Sequence, residues 1–254
     1  MAMLTVRDHD VDDYESLRDM DSTDVGELRA DDHACLEELG QYLVAADASN
    51  RFGIWLLHKH FEPQSGEVFV ERSVRAPRGT ETAPMMRSVF GEQGLSTTAI
   101  RFDDLVDEGI GVVGLEFAEP DDFGDTAPLS DDDEAILAGI CERLQAHDKV
   151  ERFGVRLIRN PLQLSDSELL HETSDGANRT LHCTVGERDA VLNELNIIQT
   201  AWKWRVTQDG SETIVMQDCT AGCVRVGEGH DIAHTASGTD DFDNPTEGEP
   251  NQPF

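Results

Sequence analysis

The sequence predicts an α+β fold: a helix and two hairpins, repeated in tandem, with mostly antiparallel sheet and a pseudo-two-fold arrangement of the copies. Three observations lead there. Residues 31–73 align without a gap on residues 132–174, 101 positions further along. Each stretch opens with apolar residues at helical spacing, and each continues into segments of strand-like alternation.

The aligned identities include Asp31 with Asp132, Leu36 with Leu137, Leu43 with Leu144 and Asp47 with Asp148. They continue through Arg51-Phe52-Gly53 with Arg152-Phe153-Gly154, then Glu67 with Glu168 and Glu71 with Glu172. Helical spacing is carried by Leu36, Leu39, Tyr42, Leu43 and Ala46 in the first copy and by Ile136, Leu137, Ile140, Leu144 and His147 in the second. Asp31 and Ser130 are the expected caps. A hairpin is expected next, with strands at 52–61 and 67–72 around 62–66, and its counterpart at 153–172. A one-residue shift extends the match, setting Thr98-Ala99-Ile100-Arg101-Phe102 against Thr200-Ala201-Trp202-Lys203-Trp204. Asp209-Gly210 then signals a tight turn between strands at 202–206 and 212–217, and 110–117 is the matching strand of the first copy. The expected organisation is an acidic, mobile arm at 1–29, repeats at 30–129 and 130–235, and a disordered acidic tail at 236–254.

Charge is the most extreme property of the chain. Asp and Glu number 52 against 20 Lys and Arg, a formal net charge of −32, and only three of the cations are lysines (Lys59, Lys149, Lys203). The acids run along the whole chain, at 8–13, 31–32, 103–108, 121–125 and 131–134, so most have no cation to pair with. Salt must screen them, and at molar ionic strength the Debye length falls to about 3 Å. The composition resembles that of proteins from salt-accumulating haloarchaea. It implies a melting temperature that rises steeply with KCl. No run approaches the ~20 apolar residues of a membrane-spanning helix, and no signal-peptide core follows Met1. The expectation is a cytoplasmic protein with reduced cysteines, five in number.

The chemistry-bearing residues are His and Cys. His58 and His60, two residues apart on a predicted strand, share one face and make a workable pair of metal ligands. A carboxylate from the returning strand, Glu67 or Glu71, is the candidate third ligand or general base. With a five-residue loop at 62–66 both point away from the histidines, and with a loop one residue shorter His60 faces Glu67, because a one-residue slip turns a side chain to the other face. In the second copy Arg159 and Pro161 replace the two histidines, so the fold does not require them. That copy instead carries His182-Cys183 and the pair Cys219 and Cys223. Special residues divided between copies point to one composite site. Cys219, Cys223, His230 and His234 alternatively form a local zinc clip. Cys35 and Cys141 read as small core residues. Paired tryptophans at 202 and 204 read as core, and without a basic groove nucleic acid is not the expected partner.

No phosphate loop, dinucleotide fingerprint, G-x-S-x-G elbow or H-E-x-x-H is present. Two functional classes remain. The first is a metal-dependent enzyme or metal-binding protein acting on a small molecule, with a divalent ion, Zn or Fe. The second is a noncatalytic interaction or regulatory module that binds another protein and uses the Cys/His segment as a structural or redox accessory.

Overall fold

The computed structural model describes residues 4–18, 28–91, 94–103, 110–124, 126–193, 197–209 and 212–224. Along them run β1 (Leu4–Asp8), α1 (Val11–Glu15), α2 (Ala30–Ala45), β2 (Phe52–Leu56), β3 (Glu67–Arg75), β4 (Arg78–Met86), β5 (Ser96–Asp103) and β6 (Ile110–Ala118). There follow α3 (Glu134–Ala146), β7 (Phe153–Leu157), β8 (Glu168–Asp175), β9 (Thr180–Glu187), α4 (Arg188–Leu192), β10 (Ile197–Asp209) and β11 (Glu212–Val224). Among the described residues, no helix is long and apolar enough to cross a membrane.

Ten strands close into a barrel in the order β6-β3-β4-β9-β8-β11-β10-β2-β7-β5 and back to β6, with β1 added in parallel alongside β6. The sheet is mixed, since β3 pairs with β6 and β11 with β8 in parallel. This corrects the expected α+β fold with its mostly antiparallel sheet. The expected hairpin of 52–61 with 67–72 does not form. β2 pairs instead with β7 and β10, and β3 pairs with β4 and β6. Burial explains the choice: all five residues of β2 are buried, so it belongs in the middle of a sheet covered on both faces. Closure also leaves the ten ring strands without an open edge.

The strand order reads the same when β2–β6 are exchanged for β7–β11. Residues 101 apart meet at both seams of this exchange: Ile54 lies opposite Val155 where β2 meets β7, and Glu81 opposite His182 where β4 meets β9. Both seams are antiparallel, so the exchange also swaps the two ends of the barrel.

Helices α2 and α3 cover the outside of the wall. Leu36, Leu39 and Leu43 of α2 and Leu137, Ile140 and Leu144 of α3 are completely buried in one cluster with Phe52, Ile54, Phe153, Val155, Trp202 and Trp204. Glu37, Glu38 and Glu142 on the opposite helix faces are exposed. Cys35 and Cys141 belong to that cluster. Gly40 is required there, because a Cβ would stand 2.2 Å from the Trp204 indole nitrogen. Both helices end the same way, with Asp47 and Asp148 in the left-handed region (φ 55° and 58°). Their starts are cross-tied. Asp32 and Asp133 each accept a backbone N–H at the start of their own helix, and each pairs with an arginine of the other half: Arg152–Asp32 at 2.8 Å and Arg51–Asp133 at 2.5 Å. Asp32, rather than the expected Asp31, therefore takes the capping role.

The interior holds a smaller apolar cluster of Trp55, Leu57, Phe69, Ala99, Val113, Leu115, Ala201 and Ala221. Part of the expected N-terminal arm is ordered against it: β1 extends the sheet, and Tyr14 and Leu17, in and just after α1, join the interior cluster. Asp13 ties α1 down through Arg7 (2.5 Å) and Arg101 (2.6 Å). The expected tail at 236–254 lies outside the described residues.

Candidate metal centre

Two chain segments from opposite halves converge at the end of the barrel that α1 covers. Strand β2 stops at Leu56, and the chain then crosses this end carrying His58 and His60. From the other half, β8 and β11 run in parallel with Glu172 directly opposite Cys223. Glu172 shares the inward face of β8 with Leu170, two residues earlier. One ligand atom from each of His58, His60, Glu172 and Cys223 lies within 4.8 Å of all the others. These four residues form a group able to hold a metal ion.

Hydrogen bonds aim the group. His58 Nδ1 donates to the Leu56 carbonyl at 2.7 Å, and a carbonyl can only accept, so Nε2 carries the lone pair. His60 Nδ1 lies 2.7 Å from Ser174 Oγ. The two Nε2 atoms then face each other at 3.0 Å. Glu172 accepts from Thr200 Oγ1 at 2.9 Å. Imidazoles whose far nitrogens are fixed by oxygen partners, with near nitrogens converging, have the outer support of metal-bound histidines. Trp55 stands edge-on to His58, ring centres 5.9 Å apart. His58, Glu172 and Cys223 are 1–2% exposed, whereas His60 is only half-buried. Burial pulls His58 down to about 4, despite the opposing bond to Leu56, so its imidazole is neutral at pH 7. Burial pushes the Glu172 carboxyl upward, against Arg156 and Thr200.

Of the residues expected from the sequence, His58, His60 and Cys223 are brought together and the others are not. Glu67 holds the 62–67 loop, accepting from the Gln64 N–H at 2.7 Å and pairing with Arg179 at 2.6 Å. Glu71 points into the barrel but pairs with Arg159 and, at 3.2 Å, with Arg156. His182 pairs with Glu81 at 3.3 Å, both well exposed. Cys183 is buried opposite Glu172 on β9, on the other side of β8 from Cys223 and outside the group. Cys219 lies opposite Trp202 on β11. His230 and His234 fall outside the described residues, and the tight turn at Asp209-Gly210 falls partly so. Glu172 was missed, although its identity with Glu71 flagged it. The expected hairpin put the search within one half, whereas the barrel places His58 against the carboxylate of the other.

The opposite end holds the counterpart residues. Arg159 replaces His58, Glu71 replaces Glu172, and Arg156 stands where Trp55 does. Arg156 pairs with Glu116 at 3.0 Å as well as with Glu71. Burial drives Glu116 from 4.5 to about 7, opposed by Arg156 and reinforced by Glu71. Burial works in the same direction on Glu71, but Arg159 and Arg156 bring it below its usual value. Comparison with protein-family models, curated proteins and solved structures finds no match to this chain.

Proposed function

We propose that this protein binds one divalent transition-metal ion, Zn or Fe, through His58, His60, Glu172 and Cys223, and that the ion serves chemistry on a small molecule. The observation that carries the reading is the convergence of two imidazole Nε2 atoms 3.0 Å apart with a buried carboxylate and thiol. Without a metal, one Nε2 must donate its proton to the other. With a metal, both lone pairs, the carboxylate and a thiolate gain a partner, which offsets burying them. A set of two nitrogens, one oxygen and one sulfur suits a tetrahedral zinc ion, and imidazole also suits iron. Four protein ligands would fill a tetrahedral zinc shell, so activation of water needs either a fifth position or release of one ligand. Half-buried His60 is the ligand nearest solvent.

Elemental analysis of the purified full chain tests the binding, with about one metal per chain expected and loss in the His58→Ala, His60→Ala double variant. Cobalt substitution tests the sulfur ligand. A thiolate-to-cobalt charge-transfer band that persists in Cys223→Ser would remove Cys223 from the shell. A metal-free chain whose melting is unmoved by zinc, iron or cobalt would end the reading.

A further inference from the structure

The barrel's two ends are built on the same frame, but among the described residues only one is plugged. At the metal end, α1 fills the mouth: Tyr14 packs on Phe69, ring centres 4.6 Å apart, and the Asp13 carboxylate sits on Arg101 at 2.6 Å. At the other end, beneath the loop that follows β7, a cavity of about 190 Å³ takes that place. Leu170, the counterpart of Phe69, and Lys203, the counterpart of Arg101, both line it.

We infer that this cavity binds a small organic carboxylate with an apolar body, its charge received by Lys203. Four cations line the cavity (Arg156, Arg159, Arg188 and Lys203) against two acids, Glu71 and Glu168. Arg156 and Arg159 are held by Glu71, and Arg156 also by Glu116 at 3.0 Å, so Lys203 is the cation the cavity offers a ligand, in a chain whose net charge is −32. Both acids are already committed, Glu71 to Arg159 and Arg156, and Glu168 to Arg78. Asp218, opposite Lys203 across the ladder, is taken by Arg205 at 2.6 Å. Lys203 makes no ion pair with any described residue. Arg159, which lines the same cavity with its side chain buried, keeps an Nε without a hydrogen-bond partner. Leu157, Leu162, Leu164, Leu170 and Trp202 give the rest of the lining an apolar body, with Thr80, Asn160, Ser165 and Thr220 as its uncharged polar groups. The required ligand thus resembles what α1 supplies at the other end: a carboxylate beside an apolar or aromatic group. Small-molecule sites commonly combine an apolar lining with a few placed polar groups in this way.

The inference does not rest on the metal reading. Calorimetric titration of the full chain with phenylacetate and octanoate tests it, with phenylacetamide as the uncharged control. Saturable binding of at least one acid is expected, with no binding of the amide. Lys203→Met should weaken binding at least tenfold, and Lys203→Arg should keep most of it, separating lost charge from lost folding. The His58→Ala, His60→Ala chain should bind as the unaltered chain does. Absence of saturable binding by both acids, equal binding of the amide, an unchanged affinity in Lys203→Met, or loss of binding in the double histidine variant would each overturn the inference. The last result would place the carboxylate on the metal instead.

Discussion

At one end of the barrel, His58 of the first half faces Glu172 of the second; at the other, Arg159 of the second half faces Glu71 of the first. The backbone frame is shared, and the difference lies in how a buried carboxylate gets its cation. Glu71 receives one that is covalently part of the chain, a guanidinium that stays charged throughout the accessible pH range. Glu172 faces imidazoles and a cysteine rather than a guanidinium, and such groups gain a positive partner by ligating a cation. On the proposed reading the Glu71 end is complete on folding, whereas the Glu172 end is completed by an ion.

This contrast can be broken at either end. Arg159→Ala should have the largest effect on stability, because it leaves buried Glu71 and Glu116 to share Arg156 alone; removing one partner of a buried pair costs up to about 3–5 kcal/mol. Denaturant unfolding measures it, and a loss below about 1 kcal/mol would mean that the pair is worth no more than a surface salt bridge. His58→Arg copies the arginine end onto the metal end. Its expected outcome is a folded chain that binds no metal and has lost the stabilisation that metal confers, about 2.7 kcal/mol at a hundredfold the dissociation constant. Retained metal would show that His58 is not a ligand.

A smaller effect concerns pH. Glu116 has its folded value raised from 4.5 to about 7, so the folded state keeps this proton longer than the unfolded state does. Its contribution is then complete below pH 4.5 and declines as pH rises through 7. Glu116→Gln should flatten that decline in melting curves taken across the window; an identical slope in both chains would assign the pH dependence elsewhere. The smallest expected effect is a gain. Placing Arg159→His, Pro161→His and Ala118→Cys together rebuilds the ligand types opposite Glu71, and a weak second metal equivalent should appear in elemental analysis.

The sequence contained the site in two pieces and lacked the topology that joins them. The absence of His58 and His60 from the second copy marked them as dispensable to the fold, and the division of special residues between copies pointed to a composite site. Both deductions needed only the alignment. The strand argument for the pair, however, was wrong in its particulars: the histidines lie beyond the end of β2, and the Leu56 carbonyl and Ser174 orient them. Pairing partners were hidden because hydrophobic alternation fixes which face of a strand is buried but not which strand lies beside it. Residues 52–56 are buried on both faces, which calls for a central strand but names neither of its neighbours. The helices were legible for the opposite reason, since Leu36, Leu39 and Leu43 define their burial through local spacing alone. Residues 4–18 were misjudged because acidic composition outweighed three anchors, Asp13, Tyr14 and Leu17, which reach Arg101 and the interior cluster far along the chain.

The seams of the ring also govern how the chain must reach its native state. Ile54 meets Val155, and Glu81 meets His182, so neither seam can form until both halves of the chain have been made and have found each other. Loop closure over such separations must be met before the contacts return any free energy, and chains dominated by non-local pairings fold in milliseconds to seconds rather than microseconds. Until then β4 and β5 in one half and β9 and β10 in the other are open strand edges, and β2 and β7, whose partners all lie in the opposite half, have no strand to pair with. Those edges are mutual templates, and two nascent chains close together could satisfy them by exchanging halves. Dense negative charge, by keeping separate chains apart, would favour closure within one chain over exchange between two.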